Sequence, residues 1–214
     1  MPIALNPNDE VLATVLNMQR ILAAVPVRYL LTNGKIEKQL KYFMGAAWEA
    51  GNPGTRATAT DKRPFNAFEL DVIAFEAAIP HFWAELKCSF NQDNNDVRKS
   101  ATKAVNQATV RRAGIPAAMF NVPGNIIHGY IVHFLTTLPA LHDPRLPPYI
   151  LDLYQPLRGQ PIFSANQLEQ SYELLLQHDY HSSTWCDVWV DNQNANLTVS
   201  AVIVKLVPNV LEIH

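Results

Sequence analysis

Phe68-Glu69-Leu70-Asp71-Val72-Ile73-Ala74-Phe75 and, five residues on, His81-Phe82-Trp83-Ala84-Glu85-Leu86-Lys87-Cys88-Ser89-Phe90 decide the fold class. Both runs are rich in β-branched and aromatic residues, and the Glu76 to Pro80 segment is short enough to join them as a hairpin. Side chains alternate faces along a strand, so Glu69 and Asp71 point one way while Leu70, Val72 and Ala74 point the other. On the second strand Trp83, Glu85, Lys87 and Ser89 share a face, with Phe82, Ala84, Leu86 and Cys88 opposite. The hairpin therefore gathers two or three carboxylates and a lysine in one small volume.

Outward from the hairpin the pattern alternates between helix and strand. Upstream, Asp9 to Ala24 and Lys35 to Ala50 carry apolar residues at mixed three- and four-residue spacing. The first closes before Pro26 and the second at Gly51-Asn52-Pro53-Gly54. The polar stretch Thr55 to Pro64 reads as a connection. Downstream, Asp96 to Ala113 reads as a helix stopped by Gly114-Ile115-Pro116, and Ala117 to Val122 and Ile126 to Leu135 read as strands. A Pro-rich loop spans Pro139 to Pro148, and Ser164, an N-cap residue, opens a helix to Gln177. Trp185 to Val190 and Leu197 to Val207 read as closing strands. The class is α/β: a mixed central β-sheet flanked by α-helices, in a single domain over 1-214.

Composition excludes several classes of function. The chain has 214 residues, 48% of them hydrophobic and 17% charged, with a net charge of −2; disordered chains and uniformly basic nucleic-acid arms are both ruled out. The longest apolar runs fall well short of the roughly 18 residues that cross a bilayer, so no membrane association is expected. No secretory signal can be read at the N-terminus, which makes cytoplasm the default location. Cys88 and Cys186 form no C-x-x-C pair and read as buried thiols, against a zinc ribbon or redox motif. The seven histidines match no metal motif and read as packing or surface residues.

The gathered carboxylates offer hard oxygen ligands, which suit Mg²⁺ or Mn²⁺, an ion that needs only one or two protein carboxylates and completes its shell with water and substrate phosphate. With a nearby ammonium, that is a donor set for phosphodiester hydrolysis. Asp71 followed by Glu85-Leu86-Lys87 resembles the D…(D/E)-x-K signature of the PD-(D/E)xK nuclease superfamily, and Glu69-Leu70-Asp71 is similar to its first core strand. Glu37, in Gly34-Lys35-Ile36-Glu37, resembles the acidic residue that a preceding helix often adds. Lys103-Ala104-Val105-Asn106-Gln107-Ala108 resembles the family's A-x-x-Q helix, with Gln107 as the glutamine. The likeness covers roughly residues 34-112, with Leu70 where some members carry proline.

The resemblance implies a restriction-endonuclease-like core in which residues 115-214 complete the sheet and add an extension. It implies a Mg²⁺- or Mn²⁺-dependent nuclease acting on nucleic acid, DNA before RNA, in restriction, repair or a secreted or injected toxin. Asp71 and Glu85 would hold the metal, Lys87 would orient the attacking water, and Glu69, Glu37 and Gln107 would support them. Lys99, Lys103 and Arg111, with Gln107, recur every four residues on one helix side and would meet the nucleic acid. A homodimer would suit two-strand cutting, and an immunity protein would accompany a toxin.

Plainer readings stand beside these. Taken singly, Asp71, Glu85 and Lys87 also read as a cross-strand ion pair on a solvated sheet face. Glu37 reads as the partner of Lys41 one turn on, and the basic helix side as a solvated face with Ala101, Ala104, Val105 and Ala108 inward. A non-catalytic binding or assembly module would keep the sheet and use the carboxylates structurally. Charge is unevenly placed, however: residues 28-112 hold 13 Lys+Arg and 9 Asp+Glu, so the basic residues cluster where the candidate site lies.

Overall fold

A computed structural model describes residues 2-24, 36-62, 69-114, 127-137, 157, 160-191 and 194-208. Within these, helices α1 (Glu10–Leu22) and α2 (Ile36–Gly51) precede strands β1 (Arg56–Lys62), β2 (Leu70–Glu76) and β3 (Ile79–Phe90). Helix α3 (Asn94–Gly114), strand β4 (His128–Thr136), helix α4 (Ala165–Leu176) and strands β5 (Tyr180–Asp191) and β6 (Asn194–Leu206) follow. The expected strand over Ala117 to Val122 and the Pro139 to Pro148 loop lie outside the described residues.

All six strands join one sheet in the order β1-β2-β3-β4-β6-β5. The sheet is mixed: β3 and β4 run parallel, with α3 in the connection between them, and the other neighbours are antiparallel. A parallel pair needs such a crossover, whereas antiparallel neighbours can be joined by tight turns. The chain therefore has the mixed sheet and flanking helices expected of it, with the last three strands supplied by residues beyond 115.

The pleat divides the core in two. Val72, Ala74, Phe82, Ala84 and Leu86 join Tyr130, Val132 and Phe134 under α1 and α2, which contribute Val15, Met18, Leu40, Met44 and Trp48. On the other face Ile73, Trp83, Ile131 and Leu135 pack with α3 and α4 through Val97, Ala101, Ala104, Ala108, Leu168 and Tyr172. The Trp83 indole approaches Gly129, its register partner on β4, so closely that a Cβ there would overlap it. A side chain at that position would overpack the sheet.

Caps follow the sequence signals. Asp9 accepts from the Val11 N–H to open α1, and Ser164 and Gln167 form a reciprocal capping box at the start of α4. Two expectations change. The Thr55 to Pro64 stretch is not merely a connection, because Arg56–Lys62 is an edge strand paired along β2. The hairpin is also tighter than read: β2 ends at Glu76 and β3 starts at Ile79, with Ala77 and Ala78 at φ 49° and 65°. A two-residue turn with both residues left-handed matches strand twist, but alanine lacks the Asn-Gly signature that announces one.

Candidate active site

The β2–β3 ladder runs from Glu76↔Ile79 to Val72↔Ala84, and beyond Ala84 strand β3 is paired with β4. At that point the Asp71 carboxylate substitutes for a strand, its Oδ2 accepting the Leu86 N–H at 2.8 Å. A carboxylate accepting a backbone N–H makes a charge-assisted bond stronger than a neutral one. The bond fixes Asp71 beside Glu85 and Lys87 where the two strands part.

The three residues are buried: Asp71 is 5% exposed, Glu85 0% and Lys87 6%. The reading as an ion pair on a solvated sheet face is therefore overturned. Burying a charge is costly unless it is paired, and each of these is paired. Lys87 Nζ donates to Glu85 Oε1 at 2.5 Å and to the Leu86 carbonyl at 2.8 Å. The Arg111 guanidinium, from α3, is in contact with the other Glu85 oxygen and lies 3.5 Å from Asp71 Oδ2. Lys41, from α2, donates to Asp71 Oδ1 at 2.9 Å and lies 3.9 Å from Glu37.

Four elements thus build an alternating series of charges, Glu37, Lys41, Asp71, Arg111, Glu85 and Lys87. Burial pushes the Lys87 pKa below its usual 10.5, with Lys41 adding to that push, while the Glu37 and Asp71 charges pull it back up. A neutral amine is consequently accessible at lower pH than for a surface lysine.

The series opens into a cleft of about 1000 Å³ between α2 and α3. Glu37, Glu69, Asp71, Lys87 and Gln107 line it, so most of the residues singled out from the sequence converge there, whereas Glu85 is fully buried and is not part of the lining. Lys99, Lys103 and Arg98 form its α3 wall, whose opposite side buries Ala101, Ala104, Val105 and Ala108 as the pattern predicts. Among the described residues, six cationic side chains line the cleft against three carboxylates. Arg111, read as a nucleic-acid contact, lines the cleft and also reaches inward to the carboxylates.

Lys41 is the residue whose importance sequence reading missed. Its signal was present, since Glu37 and Lys41 stand one turn apart on one helix face. That spacing also describes an exposed helix pair, and only the fold shows that Lys41 is buried against Asp71.

Asp71 and Glu85 are the residues that could hold a divalent cation. Arg111 Nη1 already lies against one oxygen of Asp71 and one of Glu85, so the two carboxylates converge on a single cationic position. The Gln107 side-chain oxygen, in the same cleft, is buried without a hydrogen-bond partner among the described residues. No group of three His, Cys, Asp or Glu able to hold a metal occurs among the described residues; two carboxylates with water are enough for Mg²⁺ but not for a fully protein-ligated ion.

Deeper on the same sheet face, His133 is fully buried, with Nδ1 2.8 Å from the Tyr172 hydroxyl and Nε2 3.1 Å from Ser89 Oγ. Burial, helped by the Lys87 charge, pushes its pKa from 6.5 down to about 3. The packing reading of this histidine fits. No helix among the described residues is long and apolar enough to cross a membrane. No protein-family model matches the chain, and neither a curated protein nor a solved structure matches it.

Proposed function

We propose that the protein is a divalent-metal-dependent nuclease with a restriction-endonuclease-like core, hydrolysing phosphodiester bonds of nucleic acid, DNA in preference to RNA. The observation that carries the proposal is the buried cluster of Asp71, Glu85 and Lys87, of which Asp71 and Lys87 line a cleft where cationic side chains outnumber carboxylates. Structural ion pairs need no such cleft, and a binding groove needs no buried carboxylates beneath its cations.

In this reading Asp71 and Glu85 hold Mg²⁺ or Mn²⁺. The ion, when bound, supplies a Lewis acid for the phosphoryl oxygen and lowers the pKa of a bound water. Lys87 has three donors, of which two go to Glu85 and the Leu86 carbonyl; the third orients the attacking water or meets the phosphate. The fixed bond from Leu86 N–H to Asp71 and the pairing of Lys87 with Glu85 position both groups before substrate arrives. Glu37 and Glu69 shape the field at the cleft wall, and Lys99 and Lys103 attract the backbone.

The test is incubation of the purified chain with supercoiled plasmid, single-stranded DNA and RNA in Mg²⁺, in Mn²⁺ and in chelator. Cleavage of DNA with either ion and none in chelator is expected, together with inhibition at high salt. Failure to cut all three substrates in both ions overturns the proposal and leaves the non-catalytic binding module.

A further inference from the structure

The alternating series raises a question that the nuclease reading alone does not answer: the cationic position shared by Asp71 and Glu85 is held by the protein itself. Arg111 Nη1 lies against both carboxylates, and Lys41 donates to the remaining Asp71 oxygen at 2.9 Å. With Glu37 and Lys87 included, the series has three positive and three negative side chains and is close to neutral. Adding a divalent cation to such a cluster brings it against Arg111 and Lys41 in a poorly solvated site, where like charges repel strongly.

Both cations have somewhere to go. Arg111 and Lys41 line the open cleft, on α3 and α2 respectively, so each reaches the carboxylates from a wall that also faces the substrate side. A guanidinium pairs with phosphate as readily as with carboxylate, and a lysine stem is flexible enough to swing. The carboxylates have no such freedom. Asp71 is tied to Leu86 N–H, and Glu85 is completely buried with one oxygen on Lys87.

We propose that Lys41 and Arg111 are exchangeable counter-ions that neutralise Asp71 and Glu85 until a phosphodiester draws them off, so that divalent metal and substrate each strengthen the binding of the other. The inference rests on the nuclease reading and deepens it: the resting site binds metal weakly and loads it with substrate. Linkage makes the effect reciprocal, and any factor by which nucleic acid raises metal affinity must equal the factor by which metal raises nucleic-acid affinity. Lys41 and Arg111 act through the metal ligands and are positioning residues.

The experiment is a Mn²⁺ titration of the full chain, followed by the electron paramagnetic resonance signal of the free ion. It is run without and with a short DNA duplex carrying hydrolysis-resistant phosphorothioate linkages. Wild type is expected to bind Mn²⁺ about 5–150-fold more tightly with the duplex, the range usual for coupled sites. Lys41→Gln and Arg111→Gln are expected to bind Mn²⁺ more tightly than wild type in the absence of duplex and to lose most of the enhancement; Lys41→Arg keeps it. A rise in the thermal midpoint of these variants on adding Mn²⁺ alone confirms that they are folded and bind the ion.

An enhancement within about twofold in wild type, well below the usual coupling range, overturns the counter-ion role without recourse to any variant. So does Mn²⁺ affinity in both glutamine variants no greater than that of wild type. If the chain cuts DNA but lacks the enhancement, this inference fails and the nuclease reading stands. If it neither cuts DNA nor binds Mn²⁺ with or without duplex, both fail.

Discussion

Truncating Glu85 to alanine is expected to destabilise the fold by about 3–5 kcal/mol, the usual loss when one partner of a buried ion pair is removed. Glu85 is fully buried, and it faces Lys87 on one oxygen and Arg111 on the other. Its removal leaves two cations beside each other near the floor of the cleft. Part of the loss should be regained in the Glu85→Ala/Arg111→Met double variant, because one uncompensated cation is removed with it. Urea unfolding of the two variants and wild type measures both quantities. A loss below about 1 kcal/mol for Glu85→Ala would place the residue among exposed pairs, contrary to its burial.

The second large effect is acid sensitivity from His133. Its pKa is lowered to about 3 in the fold and returns to 6.5 in the unfolded chain. Between those values the unfolded chain binds a proton that the native state excludes, so stability falls as pH falls through 6.5 towards 3. Above 6.5 the group contributes no pH dependence. The full shift corresponds to about 4–5 kcal/mol, and the part between about pH 7.5 and about pH 5 to about 2 kcal/mol. Carboxylates contribute their own acid dependence, so the comparison is with His133→Gln, whose amide can still bond Ser89 and Tyr172 and does not titrate. Wild type is expected to lose about 2 kcal/mol more than the variant over that interval. Equal losses would mean that the buried imidazole takes up its proton in place.

What the sequence disclosed depended on whether a feature was local. Period-two alternation placed Asp71 with Glu69 and Glu85 with Lys87, and four-residue spacing placed Lys99, Lys103, Gln107 and Arg111 on one side of α3. The relations on β3 and α3 hold within a single element and survive folding, while Glu69 stands just before the first residue of β2. Strand β1 is not legible in the sequence because Arg56–Lys62 lacks a large apolar residue, being an edge strand whose place comes from pairing with β2. The Ala77-Ala78 turn was blurred because its left-handed backbone is imposed by the strands it joins.

The site divided in the same way. Candidate carboxylates could be named from type and spacing, but burial separates a solvated ion pair from a desolvated cluster, and burial is a property of the whole fold. Lys41 reaches Asp71 across 30 residues of chain, and Arg111 reaches Glu85 across a helix. Each contact is made by the packing of α2 and α3 about the parting strands, for which no local pattern is diagnostic.

In the proposed reaction Asp71 and Lys87 act together at the cleft. The most direct measurement is the single-turnover rate of cleavage of a labelled DNA duplex in saturating Mn²⁺ by wild type, Asp71→Asn and Lys87→Ala, each confirmed folded by its thermal transition. Metal-dependent cleavage by wild type and a loss of about 10²–10³-fold in each variant are expected, the scale typical of removing one preorganised electrostatic group. Cleavage by both folded variants at the wild-type rate would rule out a catalytic role for Asp71 and Lys87.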